Sequence, residues 1–202
     1  MEPKTEISRL LDIMPASGRM MCKIISKPEQ KTVIESPYPL PWNGTREVWI
    51  NFDLWSRLAP QQRDLLLLRT VSWLIGIKWF KPDVYQGVVV ASLLGGVFEL
   101  VEKDIVGVVV AGGLTALAGM QIWRNNRSSQ AQLTADEAAL KVAIRRGYSE
   151  TEAAQSLIRA IDAVAQIEGR STLDFLELLR RQNLRSIANL SPVGVPETIK
   201  KE

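Results

Sequence analysis

The sequence predicts a mainly α protein with a small β element and an inserted transmembrane helical hairpin. Three observations carry that expectation. Two apolar runs, 84–101 and 105–122, flank a charged knot of Glu102, Lys103 and Asp104. Apolar residues recur at helical spacing on both sides of that segment. Short extended stretches rich in β-branched residues gather before residue 53. The expected organisation is a soluble domain in two parts, 1–82 and 124–190, split by a membrane hairpin at 83–123 and followed by a disordered tail at 191–202.

In chain order, 5–14 reads as a short helix with Ile7, Leu10, Leu11 and Met14 on one face, and Pro15 to Gly18 stop it. Residues 20–25 and 32–35 read as short strands joined by a turn at 26–30. The prolines at 37, 39 and 41 keep 36–41 extended, because each fixes its own φ and biases its predecessor away from helix. Asn43-Gly44 is a turn, and 46–52 (REVWINF) alternates as a strand does. Asp53 caps a short helix to Leu58, and Pro60 suits the first turn of a long helix over 60–77. Four consecutive leucines, 65–68, make the centre of that helix apolar most of the way round, so it should be buried.

Each apolar run of the hairpin reaches roughly 27 Å as a helix, at about 1.5 Å per residue. That is close to a hydrocarbon thickness of about 30 Å. Glycines at 95, 96, 107, 112, 113 and 119 would let two helix backbones approach closely. Lys78, Trp79 and Lys81 before it, and Trp123 and Arg124 after it, suit the membrane interface, while the tip is acidic. The basic outer ends then place both termini in the cytoplasm, with insertion left to the hairpin because 1–14 lacks an apolar signal core.

Beyond the hairpin, 128–146 reads as a helix with a small-residue face ended by Gly147. Ser149 and Glu152 form a capping box for a helix to Ile167, Gly169 breaks it, and 172–183 is the last helix.

Composition excludes several chemistries. Histidine is absent from the 202 residues, which removes Ser-His-Asp and Cys-His pairs, HExxH zinc sites and any histidine base. A net charge of +3 is too small to argue for nucleic acid. The one cysteine, Cys22, has no internal disulfide partner, which fits a reducing compartment.

The stretch 58–74, LAPQQRDLLLLRTVSWL, resembles the active-site helix of HtpX-like membrane zinc metallopeptidases, whose pattern is roughly LSxxELxAVLAHELGHI. The strand before it, the hairpin after it, QLTAD at 132–136 and RGYS at 146–149 follow the order of elements in that family. The resemblance implies a metallopeptidase-like (gluzincin-type) helical domain over 46–161. It also places the family's zinc ligands on Arg69, Trp73 and Gln132 and its catalytic glutamate on Thr70. An arginine has no lone pair and an indole only donates, so the implied protein is a pseudopeptidase with neither metal nor cofactor. Asp136 is retained, and a pair between Arg69 and Asp136 could tie the two helices together as zinc does in active relatives. The chain is also similar to a cyanobacterial membrane-protein family of unknown function, on MPASGRMM (14–21), RDLLLLRTVSWL (63–74), GIKWFKPD (76–83) and QIWRNNRSSQAQLTADEAA (121–139). That resemblance implies a thylakoid or plasma membrane.

The functional expectation is a non-catalytic, membrane-anchored assembly, stability or scaffold factor. Its partners would be membrane proteins or a membrane complex and the lipid bilayer, and the strand at 46–52 would be open to a client segment by strand addition. The alternative is a small structural subunit of a larger photosynthetic membrane complex. The oligomeric state stays open.

Overall fold

The computed structural model describes residues 2–40, 44–77 and 128–190, and between them positions 87, 89–92, 94, 109–110, 112–114, 116–117 and 120. Contacts divide the chain into two units, 1–77 with 129–202, and 78–128. The first unit is mainly helical with one three-stranded sheet.

Its elements are α1 (Pro3–Ile13), α2 (Ala16–Met21), β1 (Cys22–Ser26), β2 (Ile34–Glu35), β3 (Arg46–Ile50), α3 (Phe52–Trp55), α4 (Pro60–Gly76), α5 (Ser129–Arg145), α6 (Glu150–Ile167) and α7 (Phe175–Ile187). Pro15 does end α1, but it also serves as the N-cap of α2, which occupies the segment expected to be a stop and a strand. Gly18 lies in α2 because that helix presses on α4: a Cβ there would stand 2.7 Å from Val71 Cγ1.

The sheet order is β1-β3-β2. β1 runs parallel to β3 from Cys22↔Arg46 to Ser26↔Ile50, and β2 is antiparallel to β3 at Ile34↔Ile50 and Glu35↔Trp49. The two segments expected to be adjacent strands therefore do not pair with each other. β3 is the middle strand, so the free edge expected for a client segment is taken by β1. Asn51, not Asp53, caps α3: its Oδ1 accepts from the Asp53 and Leu54 amides, while its Nδ2 donates to the Pro28 and Gln30 carbonyls. One amide thus fastens the β1–β2 loop to the helix that follows the sheet.

α4 organises the unit. Leu66, Leu67, Val71 and Leu74 face a core formed with α1, the sheet and Trp55. Leu65 and Leu68 face a second core formed with α5, α6 and α7. A helix between two cores needs apolar residues on opposite sides, which is why all four leucines are buried. Its C-terminal carbonyls are satisfied by Arg46, which donates to Leu74 O and, at 3.0 Å, to Ile77 O.

Gly147 and Gly169 end α5 and α6 at φ +98° and +72°, the left-handed region glycine tolerates. Ser149 and Glu152 form the expected capping box. The last helix starts later than expected, at Phe175, and runs to Ile187. Asp174 and Glu177 form a second capping box that fixes this start.

The transmembrane expectation is corrected here. Among the described residues no helix is long and apolar enough to cross a membrane. The long helices α4 and α6 approach the required length but carry Arg63, Asp64 and Arg69, and Glu150, Glu152, Arg159 and Asp162. Most of 84–122 lies outside the described residues, as do Lys78, Trp79, Lys81, Trp123 and Arg124 and the tail from 191. The inserted membrane hairpin, the integral-membrane placement and the orientation of the termini fall with it.

Candidate functional site, a buried ion cluster between three helices

Three of the residues singled out by the sequence, Arg69 on α4 and Gln132 and Asp136 on α5, meet between those two helices. Arg69 and Trp73 are one turn apart on α4, as Gln132 and Asp136 are on α5. The Arg69 guanidinium donates through Nη2 to Gln132 Oε1, and its Nε stands 3.4 Å from Asp136 Oδ1. Thr70 points elsewhere: it is buried and its hydroxyl donates to Leu66 O at 2.9 Å, a bond within its own helix. Trp73 packs edge-on against Tyr38, with ring centroids 6.3 Å apart, and its Nε1 makes no hydrogen bond among the described residues.

The main partner of Asp136 comes from α7. Arg180 donates Nε to Oδ2 and Nη2 to Oδ1, both at 2.8 Å, while Asp136 is fully buried and Arg180 nearly so. This is the two-pronged geometry that makes arginine–carboxylate pairs strong. Sequence reading missed Arg180, although a signal was present. It occupies the repeating buried face of α7 with Asn183 and Leu184, where an arginine requires a buried anion.

The cluster thus holds two guanidiniums and one carboxylate. Burial is the largest influence on Arg69 and lowers its pKa to about 9; the neighbouring Arg180 adds to this, and Asp136 opposes it. Arg69 still carries its proton at neutral pH. Neither guanidinium can serve as a base or ligate a metal. Among the described residues there is no group of three His, Cys, Asp or Glu side chains able to hold a metal ion.

A second polar cluster lies near the start of α4. Glu6 accepts from Arg9 (2.8 and 2.9 Å), Trp55 Nε1 (3.1 Å) and Arg63 (3.2 Å). Arg9 reaches on to Asp64 Oδ1 at 2.6 Å, and Tyr148 OH donates to Asp64 Oδ2 at 2.8 Å. The hydrogen bonds from Arg9 lead the lowering of the Glu6 pKa to about 2, against the cost of burial. Burial, then the bond to Asp64, raises that of Tyr148 to about 12.

Residues 8–148 match the model of a family described as protein of unknown function (DUF3318). No curated protein and no solved structure matches the chain. The resemblance to zinc metallopeptidases is therefore corrected: no peptidase similarity accompanies the family match. Once the histidines and glutamates of the motif are lost, what aligns at 58–74 is the apolar spacing of a buried helix, and many unrelated buried helices share that spacing.

Proposed function

We propose that this chain, which belongs to the DUF3318 family, works without catalysis as a scaffold or assembly factor for a larger protein complex. The observation that carries this reading is the exposure of large apolar side chains in the second unit. Val90, Leu94, Val109, Val110, Leu114, Leu117 and Met120 are helical and each is between 46% and 69% exposed. Val110, Leu114 and Leu117 follow the i, i+4, i+7 spacing of one helix face. A Cβ placed on Gly112 or Gly113 would meet nothing within 4 Å, so another backbone could come close there. An apolar surface with such openings fits an apolar helix of a partner protein.

The chemistry of the buried cluster supports the non-catalytic half of the reading. Its side chains are engaged with one another, and a guanidinium offers no lone pair to act as a base or a metal ligand.

The test is a quantitative pull-down of the tagged chain against a Leu114→Glu, Leu117→Glu, Met120→Glu variant, with stoichiometry from mass spectrometry. The expected result is a defined complex recovered with the parent and lost with the variant. Capture of incomplete complexes below one-to-one marks an assembly factor. A fixed one-to-one presence in the finished complex marks a structural subunit instead. Recovery of the same proteins with both chains would overturn the reading.

A further inference from the structure

We infer that a cleft between the start of α4 and the start of α6 is a binding site for a small organic oxyanion. The cleft has a volume of about 740 Å³. That lies in the range of roughly 300–1,000 Å³ typical of small-molecule sites, and it leaves room for an organic body beyond a single charged group.

Its wall carries cations without matching anions. Arg146 is held in place by donating to the Ile13 and Met14 carbonyls at 3.1 and 2.9 Å, and it has no carboxylate partner among the described residues. Arg159 has none either: its hydrogen bond is to Ser156 Oγ at 3.3 Å. Both arginines line the cleft, and the guanidinium N–H groups not used on the Ile13, Met14 and Ser156 oxygens are the kind of donors that recognise phosphate and carboxylate groups.

The neutral donors agree in sign. Ala59 provides no side-chain cap to α4, and the bond between it and Gln62 runs the other way, from the Ala59 amide to Gln62 Oε1 at 2.8 Å. The first-turn amides of α4 are thus left without a side-chain cap where Gln61 and Gln62 line the cleft. The one carboxylate in the wall, Glu152, is already committed. Its Oε2 accepts from the Ser149 amide at 3.1 Å and from the Ser149 hydroxyl at 2.8 Å, which lowers its pKa and holds it at the cap of α6.

The site is also built into the fold. Arg146 holds the last carbonyls of α1, and the neighbouring Tyr148 is anchored on Asp64. An anion seated here would brace the contact between α1, α4 and the α5–α6 turn.

The test is calorimetric titration of the full chain at low ionic strength with pyrophosphate and with citrate, using chloride as a control. Saturable binding of at least one probe is expected. Tighter binding of pyrophosphate names a phosphate ligand, and tighter binding of citrate names a carboxylate. Arg159→Gln, on an exposed side chain, should weaken binding by about tenfold or more. Arg185→Gln, outside the cleft, should leave it unchanged. The inference fails if neither probe saturates. It also fails if Arg159→Gln and Arg146→Gln both bind as the parent does, or if chloride competes as well as the probes.

Discussion

The two polar clusters on α4 differ in their balance of charge. Near its start, Glu6 and Asp64 meet Arg9 and Arg63, so carboxylates and guanidiniums are equal in number. Further along, Arg69 and Arg180 share Asp136. The same residue types respond in opposite directions. Arg9, between two carboxylates, is raised above the ordinary arginine value, whereas Arg69, buried beside a second guanidinium, is lowered to about 9. The balanced cluster works as a clamp between α1 and α4. The unbalanced one ties α5 to α7 through a single strong pair and keeps a second cation nearby.

The largest effect should come from removing the shared anion. Asp136→Asn leaves two buried guanidiniums without a carboxylate, and losing one side of a buried ion pair costs about 3–5 kcal/mol. Urea unfolding of parent and variant measures it. A loss below about 1 kcal/mol would show that Asp136 is not the centre of the cluster.

Glu6→Gln should cost less, about 1.5–3 kcal/mol, because Arg9 keeps Asp64 as a partner. The pH dependence carries a clearer signature. The pKa of Glu6 is lowered from 4.5 to about 2 in the fold, so its contribution is present above about pH 4.5 and is lost as pH falls toward 2. Thermal melts between pH 5 and 2 should fall steeply in the parent and less steeply in Glu6→Gln. Parallel curves would mean that another carboxylate governs the acid limb.

How much of this could be read from the sequence follows the range of the interactions. The long helices α4, α5 and α6 and the Ser149–Glu152 cap were legible because periodicity and capping act over three or four residues, whereas the six-residue α2 was not. The leucines of α4 announced a buried helix, although not the two separate cores they serve. Pairing of β1 with β3 across an intervening strand was not legible, since register over twenty residues leaves no local mark. The same holds for the Asp136–Arg180 pair, which is 44 residues apart in the chain. Apolar composition at 84–122 was read as a membrane span because a hydropathy run measures length and polarity but not what the side chains pack against. The peptidase resemblance failed for a related reason: spacing without the reactive residues describes a helix and no chemistry.

The smallest expected effect separates the two arginines. Arg69→Met removes the bond to Gln132 and a 3.4 Å contact with Asp136, but it also removes the like charge beside Arg180. These changes oppose each other, and a methionine fills the space of the arginine's aliphatic stem, so stability should change by no more than about 1 kcal/mol. Arg180→Met removes both 2.8 Å bonds from a fully buried carboxylate and should cost several times as much. Unfolding curves of the two variants under one set of conditions give the ranking directly. If Arg69→Met is as damaging as Asp136→Asn, both cations are structural, and the cluster is a three-membered unit rather than a pair with a spare charge.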